Sequence, residues 1–240
     1  MGTVSVAIPC LMQASDPNPI QAVVNVLERL GIRVVLPKRH TCCGQPAFNS
    51  GYHKQAAEVA RHFLITFEQA DVLVCPSGSC VHMIRHGFPI LFADDPARRQ
   101  AAAEIGKRTY EFTEFLVDVL HIEDVGARFQ ASVTYHDSCH LARALGIRRQ
   151  PRALLSKVRD LQLIEMDDSD RCCGFGGTFS IKYPQISMAL ADDKIASIVK
   201  TGADIVVGCD IGCLMHIQGR LAKIHSNIQA MHLALILACS

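Results

Sequence analysis

The chain has 240 residues, a formal net charge of +1 and eleven cysteines. This length is enough for one or two domains with sizeable cores. The near-neutral charge, without a basic run, argues against nucleic-acid binding, and no apolar stretch reaches the ~18 residues that a membrane-spanning helix needs.

The N-terminal half alternates short apolar runs with amphipathic segments. Runs rich in β-branched residues predict three strands, at 3–8, 32–36 and 72–74. After the first strand, Asn18 as N-cap and Pro19 at the first helical position mark a helix that ends at Gly31. A second amphipathic helix is predicted over 56–67, because its alanine and phenylalanine residues recur at helical spacing.

The C-terminal half repeats this order. Three more strands are predicted, at 132–135, 161–166 and 205–207. Helices are predicted from Pro151 onward and over 184–200. An alternation of strands and helices is typical of an α/β fold with a parallel sheet, so each half should form a small parallel sheet with flanking helices.

Ten of the eleven cysteines form two series with nearly the same spacing. The first series is Cys10, Cys42, Cys43, Cys75 and Cys80, and the second is Cys139, Cys172, Cys173, Cys209 and Cys213. Corresponding members of the two series lie 129, 130, 130, 134 and 133 positions apart, and the sequence around the paired cysteines repeats as TCCGQ and RCCGF. An internal repeat of this length predicts two homologous domains, 1–125 and 126–240. Cys239 lies outside both series, and we expect a core or tail thiol there.

The cysteines of each series come at or shortly after the ends of predicted strands. Because the carboxyl ends of parallel strands share one edge of a sheet, where α/β folds bind ligands, we expect five thiols to converge in each half. No secretory signal is evident at the N-terminus, so we expect a cytoplasmic protein. In that reducing compartment, grouped cysteines indicate metal binding or redox chemistry more often than disulfides.

Five thiols exceed the four ligands of a tetrahedral zinc ion or a cubane iron–sulfur cluster. A larger cluster could use all five, or one thiol could be a spare, a redox partner or inert. Cys75 and Cys209 lie nearest the strand ends and could be buried strand residues instead of ligands. Gly44 and Gly174 follow the paired cysteines, where the lack of a Cβ lets backbone N–H groups approach sulfur.

Five motifs resemble those of the Cys-Cys-Gly cysteine-rich domain family: CCGQPAFNSGY, PSGSC, HDSCHLAR, CCGFGGTFS and GCDIGCLMHI. The resemblance covers essentially the whole chain, and the family includes the heterodisulfide reductase B subunit and the iron–sulfur subunit of glycolate oxidase. It implies one iron–sulfur cluster in each half, of 4Fe–4S or noncubane type. It also implies a cytoplasmic electron-transfer or catalytic subunit of a system that oxidises L-lactate to pyruvate with two partner iron–sulfur proteins.

The resemblance implies a ligand set of eight cysteines: Cys10, Cys42, Cys43, Cys80, Cys139, Cys172, Cys173 and Cys213. The heterodisulfide reductase relative ends its motif with a Cys-x-x-Cys pair. This chain instead has four residues between Cys75 and Cys80 and three between Cys209 and Cys213. The cofactor-binding roles of Cys75 and Cys209 therefore stay open.

Two other functions are compatible with the cysteine pattern: a zinc-stabilised scaffold module, or a thiol–disulfide redox subunit like the heterodisulfide reductases. No strand is followed by a G-x-G-x-x-G loop and no P-loop is found, so a hydride acceptor for lactate oxidation would come from another protein. If the chain itself binds lactate, Arg143 and Lys182 are the candidates to bind its carboxylate. His140 and His216 are candidates to supplement a cluster, or else ordinary helix-end residues.

Overall fold

The computed structural model of the chain describes residues 3–37 and 42–240. The chain divides into two compact units, Met1–Phe115 and Leu116–Ser240. The repeat-based limits, 1–125 and 126–240, stay a prediction of where the homologous domains meet. None of the helices within the described residues combines the length and the apolar character of a membrane span.

The first unit contains a four-stranded parallel sheet in the order β2-β1-β3-β4. Its strands are β1 (Thr3–Val6), β2 (Arg33–Val35), β3 (Leu73–Cys75) and β4 (Thr109–Glu111). Its helices are α1 (Cys10–Ser15), α2 (Asn18–Arg29), α3 (Gln45–Asn49), α4 (His53–Thr66), α5 (Gly78–His82), α6 (Phe88–Leu91), α7 (Pro96–Lys107) and α8 (Phe112–Glu114). A π-helical turn, Met83–Gly87, joins α5 to α6.

Helix α2 shows how the sequence directs these elements. Its apolar residues recur at helical spacing and are buried, and Gly31 adopts a positive φ of 77° just after its end. The predicted start was wrong by one residue, because Asn18 is already helical. The acceptor at this end is Asp16, whose carboxylate receives the Asn18 N–H at 3.1 Å.

The second unit repeats the topology with a parallel sheet in the order β6-β5-β7-β8. Its strands are β5 (Arg128–Tyr135), β6 (Arg159–Leu163), β7 (Ile205–Gly208) and β8 (Gln229–His232). Its helices are α9 (Arg149–Leu155), α10 (Thr178–Lys182), α11 (Pro184–Thr201), α12 (Ile211–Lys223) and α13 (Leu233–Ala238). One π-helical turn, His140–Ala144, follows β5, and another, Phe115–Val119, lies at the boundary of the two units along the chain.

The predicted fold class is confirmed, since both sheets are parallel and flanked by helices. The central strands β3 and β7 are buried along their whole length, as expected for strands covered on both faces. In the second unit, one core cluster joins Ile195 and Ile198 of α11 to Val206 of β7 and to α12, and it includes Cys173. Cys173, the second cysteine of its Cys-Cys-Gly motif, is thus packed into the apolar core.

Candidate metal centres

The order of the strands places a topological switch point at the same position in each unit. In the first sheet, β1 and β3 are neighbours, while β2 lies outside β1 and β4 lies outside β3. Their connections therefore leave in opposite directions, and the carboxyl ends of β1 and β3 flank a topological switch point, where α/β sheets bind ligands. In the second sheet β5 and β7 flank the equivalent point.

In the first unit, four predicted site residues lie together at this point. Cys10 begins α1 after strand β1, and its Sγ lies 3.2 Å from the Sγ of Cys42. Cys80 lies in α5 after strand β3, and its Sγ is 3.5 Å from that of Cys43. All of these cysteines are free thiols. The fold therefore brings sulfur atoms from three segments of the chain into contact.

Two loops of the first unit are tied together around these sulfur atoms. The Gln45 side chain donates a hydrogen bond to the Ser79 carbonyl at 3.1 Å, linking the Cys-Cys-Gly loop to the PSGSC loop. Ser77 caps α5 by accepting the Cys80 N–H at 3.4 Å. The Gly44 N–H points at the Cys42 Sγ at 3.3 Å. Backbone donors to sulfur favour the thiolate form that metals require.

The second unit also brings its thiols together, and a histidine lies among them. Cys139 interacts with Cys172 and lowers the pKa of the Cys172 thiol, and the Gly174 N–H points at the Cys172 Sγ at 3.3 Å. The ligand atoms of Cys173, Cys213 and His136 all lie within 4.8 Å of one another. His136 is absent from the predicted site. The signal that could have found it is its position directly after β5, at the edge of the sheet where the cysteines converge.

The same electrostatic pattern recurs in both units. Hydrogen bonds from Cys10, Cys43 and the Gly44 N–H lower the pKa of the Cys42 thiol to about 3. Hydrogen bonds from Cys139, Cys173 and the Gly174 N–H likewise lower the pKa of Cys172 to about 2. Since the neighbouring thiols act as donors, their own pKa values are raised. The first cysteine of each Cys-Cys-Gly motif is therefore the thiolate that forms first.

The predicted cysteines at the strand ends lie in a different environment. Cys75 is the last residue of β3 and is 1% exposed. Cys209 is fully buried, with its Sγ 3.4 Å from the Tyr135 hydroxyl. Cys239 is part-buried, and its thiol donates to the Leu235 carbonyl at 3.3 Å. Whether Cys75 and Cys209 are ligands stays a prediction.

Comparison with known proteins agrees with this duplicated arrangement. The sequence model of the CCG cysteine-rich domain matches the chain twice, at residues 4–85 and 133–218. The chain belongs to the CCG cysteine-rich domain family. It is 47% identical over 239 residues to the Lactate utilization protein A of an Exiguobacterium species, covering 99% of this chain and 97% of that protein. It is 45% identical over 234 residues to the Lactate utilization protein A of Bacillus subtilis, covering 98% of both.

A solved structure supports the fold independently. The chain superposes on a hypothetical protein from Helicobacter pylori with a TM-score of 0.70 and 11% sequence identity. The match covers 98% of this chain and 48% of that one. At this level of identity the likeness concerns the fold alone.

An ion pair with a buried carboxylate stabilises the chain segments beside the second Cys-Cys-Gly motif. The Arg152 guanidinium donates to both carboxylate oxygens of Asp137, at 2.9 and 2.8 Å, and Ser169 donates to the same carboxylate at 2.7 Å. Burial alone would raise the pKa of Asp137, but Arg152 and Ser169 hold it below its ordinary value. This network joins the segment after β5 to the segment that leads into the second Cys-Cys-Gly sequence.

Lys194 of α11 binds the segment that leads into the second Cys-Cys-Gly sequence. It is fully buried, and its ammonium donates to the carbonyls of Asp168 at 2.9 Å and Ser169 at 3.0 Å. Burial lowers the pKa of Lys194 to about 8, while the nearby Cys173 opposes that shift. The buried ammonium therefore fixes the backbone just before the second Cys-Cys-Gly sequence.

The other predicted polar residues are more dispersed. Arg143 donates to the Asp170 carbonyl, and Lys182 is exposed at the end of α10. The His140 Nδ1 lies 3.7 Å from the Cys139 Sγ, whereas the His216 Nε2 lies 3.2 Å from the Ser187 hydroxyl. His140 therefore contacts the candidate ligand Cys139, and His216 contacts helix α11, which follows the second Cys-Cys-Gly motif.

The donor atoms of both sites suit a thiophilic metal group. They are sulfur atoms of free thiols in the first unit and sulfur with one imidazole in the second, and backbone N–H groups point at two of the sulfur atoms. Thiolate and imidazole are ligands of zinc and of iron–sulfur clusters alike. The arrangement thus fits metal binding and leaves the choice between these groups to chemical analysis.

The glycine of the second motif should tolerate substitution worse than that of the first. Both have positive φ, but a Cβ on Gly174 would lie 2.3 Å from the Ser187 carbonyl oxygen, whereas one on Gly44 would lie 3.2 Å from the Ala56 oxygen. Positive φ alone costs roughly 1–2 kcal/mol for alanine, and the Gly174 clash with helical backbone adds to it. We expect Gly174→Ala to lower the free energy of unfolding more than Gly44→Ala in urea titrations.

Gly202→Ala is the matched control, because Gly202 has a φ of +69° and a Cβ there would meet nothing within 4 Å. It reports the cost of the backbone conformation without a clash. Equal destabilisation by all three substitutions would contradict the close approach at Gly174.

Proposed function

We propose that the chain is an iron–sulfur redox component of a multi-protein system that oxidises L-lactate to pyruvate in the cytoplasm. The observation that carries the proposal is the duplicated group of thiols at the switch point of each sheet. Relatives that match nearly the whole chain are named Lactate utilization protein A, which supports lactate as the substrate of the system.

The proposed ligands in the first unit are Cys10, Cys42, Cys43 and Cys80, and in the second Cys139, Cys172, Cys173 and Cys213. A fifth ligand per unit, as a noncubane cluster would use, has Cys75 and Cys209 as candidates. When bound, such a cluster supplies one-electron storage. The chain contributes thiolates at Cys42 and Cys172 and backbone N–H groups at sulfur.

Partner proteins are part of the proposal, because oxidation of lactate to pyruvate releases two electrons and two protons. An iron–sulfur cluster accepts electrons singly and needs a redox partner to pass them on. We propose that the partners are other iron–sulfur proteins of lactate utilisation. Direct binding of lactate by this chain stays a prediction. Its two candidate residues are dispersed, since Lys182 is exposed and the Arg143 guanidinium donates to the Asp170 carbonyl.

A test of this function is reduction by the substrate. We expect L-lactate to bleach the visible absorption of the iron-loaded chain when its partner proteins are present without air, and D-lactate to leave it unchanged. If dithionite bleaches the complete set of proteins and L-lactate does not, the lactate function is wrong.

A thiol–disulfide function is the second candidate, and the low pKa values of Cys42 and Cys172 favour it, because thiolates attack disulfides. The same preparation decides between the two. Re-oxidation of the reduced chain by an organic disulfide, without any response to L-lactate, would favour the heterodisulfide-reductase-like role.

A further inference from the structure

A buried histidine of the second unit lies beside the cysteines of the candidate site. His136 follows β5 and is 1% exposed, and among residues 3–37 and 42–240 neither ring nitrogen makes a hydrogen bond of normal geometry, although the ring interacts with the Cys213 thiol. Burying a polar group without a partner costs about 1–3 kcal/mol. A buried imidazole in this condition indicates that something absent from the polypeptide satisfies it.

The surroundings of His136 indicate what that partner is. One of its ring nitrogens lies within 4.8 Å of the sulfur atoms of Cys173 and Cys213, and these two sulfur atoms lie within 4.8 Å of each other. Cys173 is 3% exposed and belongs to the apolar core cluster, so this pocket is shielded from water on that side. Two sulfur atoms and one nitrogen at such separations are a suitable partial donor set for one thiophilic metal.

The first unit offers no imidazole at the equivalent position. When Cys10 is aligned with Cys139, the residue that corresponds to His136 is Ala7, which is 3% exposed at the end of β1. The two halves thus share the thiol pattern and differ in this donor. The difference is specific to the sheet edge, where ligands of this fold bind.

We propose that His136 is a nitrogen ligand of the metal group in the second unit, together with Cys173 and Cys213, and that the first unit lacks a nitrogen ligand at the equivalent position. This inference rests on the proposed metal binding, and it makes the two centres chemically distinct. A neutral imidazole, unlike a thiolate, adds no negative charge to the centre that it binds.

The test uses cobalt(II) as a paramagnetic probe in the full-length chain, with thiols reduced and air excluded. Protein labelled with ¹⁵N-histidine should show a hyperfine coupling typical of a directly bound nitrogen in pulsed EPR. We expect His136→Asn to lose this coupling, and His140→Asn to keep it. His140 is the matched control, because its ring contacts the Cys139 sulfur.

Wild-type protein answers the question even if His136→Asn does not fold. Bound cobalt without any histidine coupling would overturn the inference and leave the iron–sulfur proposal standing. A coupling that His140→Asn removes would overturn it as well. If neither unit binds cobalt, the inference is wrong, because its donor set then fails to hold a thiophilic metal ion, whereas the iron–sulfur proposal is decided separately by iron and sulfide analysis.

Discussion

Cys172→Ser is expected to remove the metal group of the second unit and therefore roughly half of the iron, with Cys42→Ser removing the other half. Each of these cysteines accepts hydrogen bonds from a neighbouring thiol and from a glycine N–H, so each is the most stabilised thiolate of its group. A serine hydroxyl keeps the size of the side chain but does not ionise to a soft ligand.

Iron and acid-labile sulfide in the anaerobically prepared variants measure this effect. Cys239→Ser is the control, because Cys239 lies outside both series and donates to a carbonyl of α13. It should retain all the iron. Loss of all the iron from either single variant would contradict two independent sites, and unchanged iron in both would show that the paired cysteines are not ligands.

Arg152→Met should lower the free energy of unfolding by roughly 3–5 kcal/mol, since it leaves the charge of buried Asp137 unpaired. The Asp137 side chain is 2% exposed, and Arg152 supplies two of its hydrogen bonds. Arg152 also binds Glu165 and lies over the Tyr135 ring, 5.0 Å from its centre. One substitution therefore removes several contacts beside the second motif.

Urea unfolding of the metal-free chain is the measurement, with Arg149→Met as the control. Arg149 is 64% exposed and pairs with Glu123 and Asp118 at the surface, so its loss should cost at most about 1 kcal/mol. The double variant Asp137→Asn with Arg152→Met should recover part of the loss, because no charge then stays buried. Similar costs for Arg152→Met and Arg149→Met would refute the role of the buried pair.

The strands and helices that carry a clear apolar period could be predicted from the sequence. Strand β4 could not, because it is only three residues long and reads Thr-Tyr-Glu without an apolar run. It forms because it pairs with β3, and because Glu111 then caps α8 with a capping box. Strand β8, Gln-Ala-Met-His, similarly depends on pairing with β7. Tertiary context overrides local propensity in both strands.

The convergence of the cysteines could be predicted for a different reason. Parallel strands deliver whatever follows them to one edge, so spacing along the chain becomes proximity in space. Which thiols then touch depends on loop geometry, and the sequence alone left the roles of Cys75 and Cys209 open. His136 escaped prediction because a histidine at a strand end has no period, and its place at the start of HDSCHLAR did not distinguish it from the other residues of that motif. Its burial beside Cys173 and Cys213 is seen only in the structure.

Metal and sulfide analysis of the protein purified without air tests the central proposal most directly. Two thiol-ligated iron–sulfur centres predict a brown protein that contains both iron and acid-labile sulfide and gives an EPR signal in one of its redox states. Stoichiometric zinc, with no iron retained after anaerobic reconstitution, would contradict the proposal and leave the chain as a zinc-binding module.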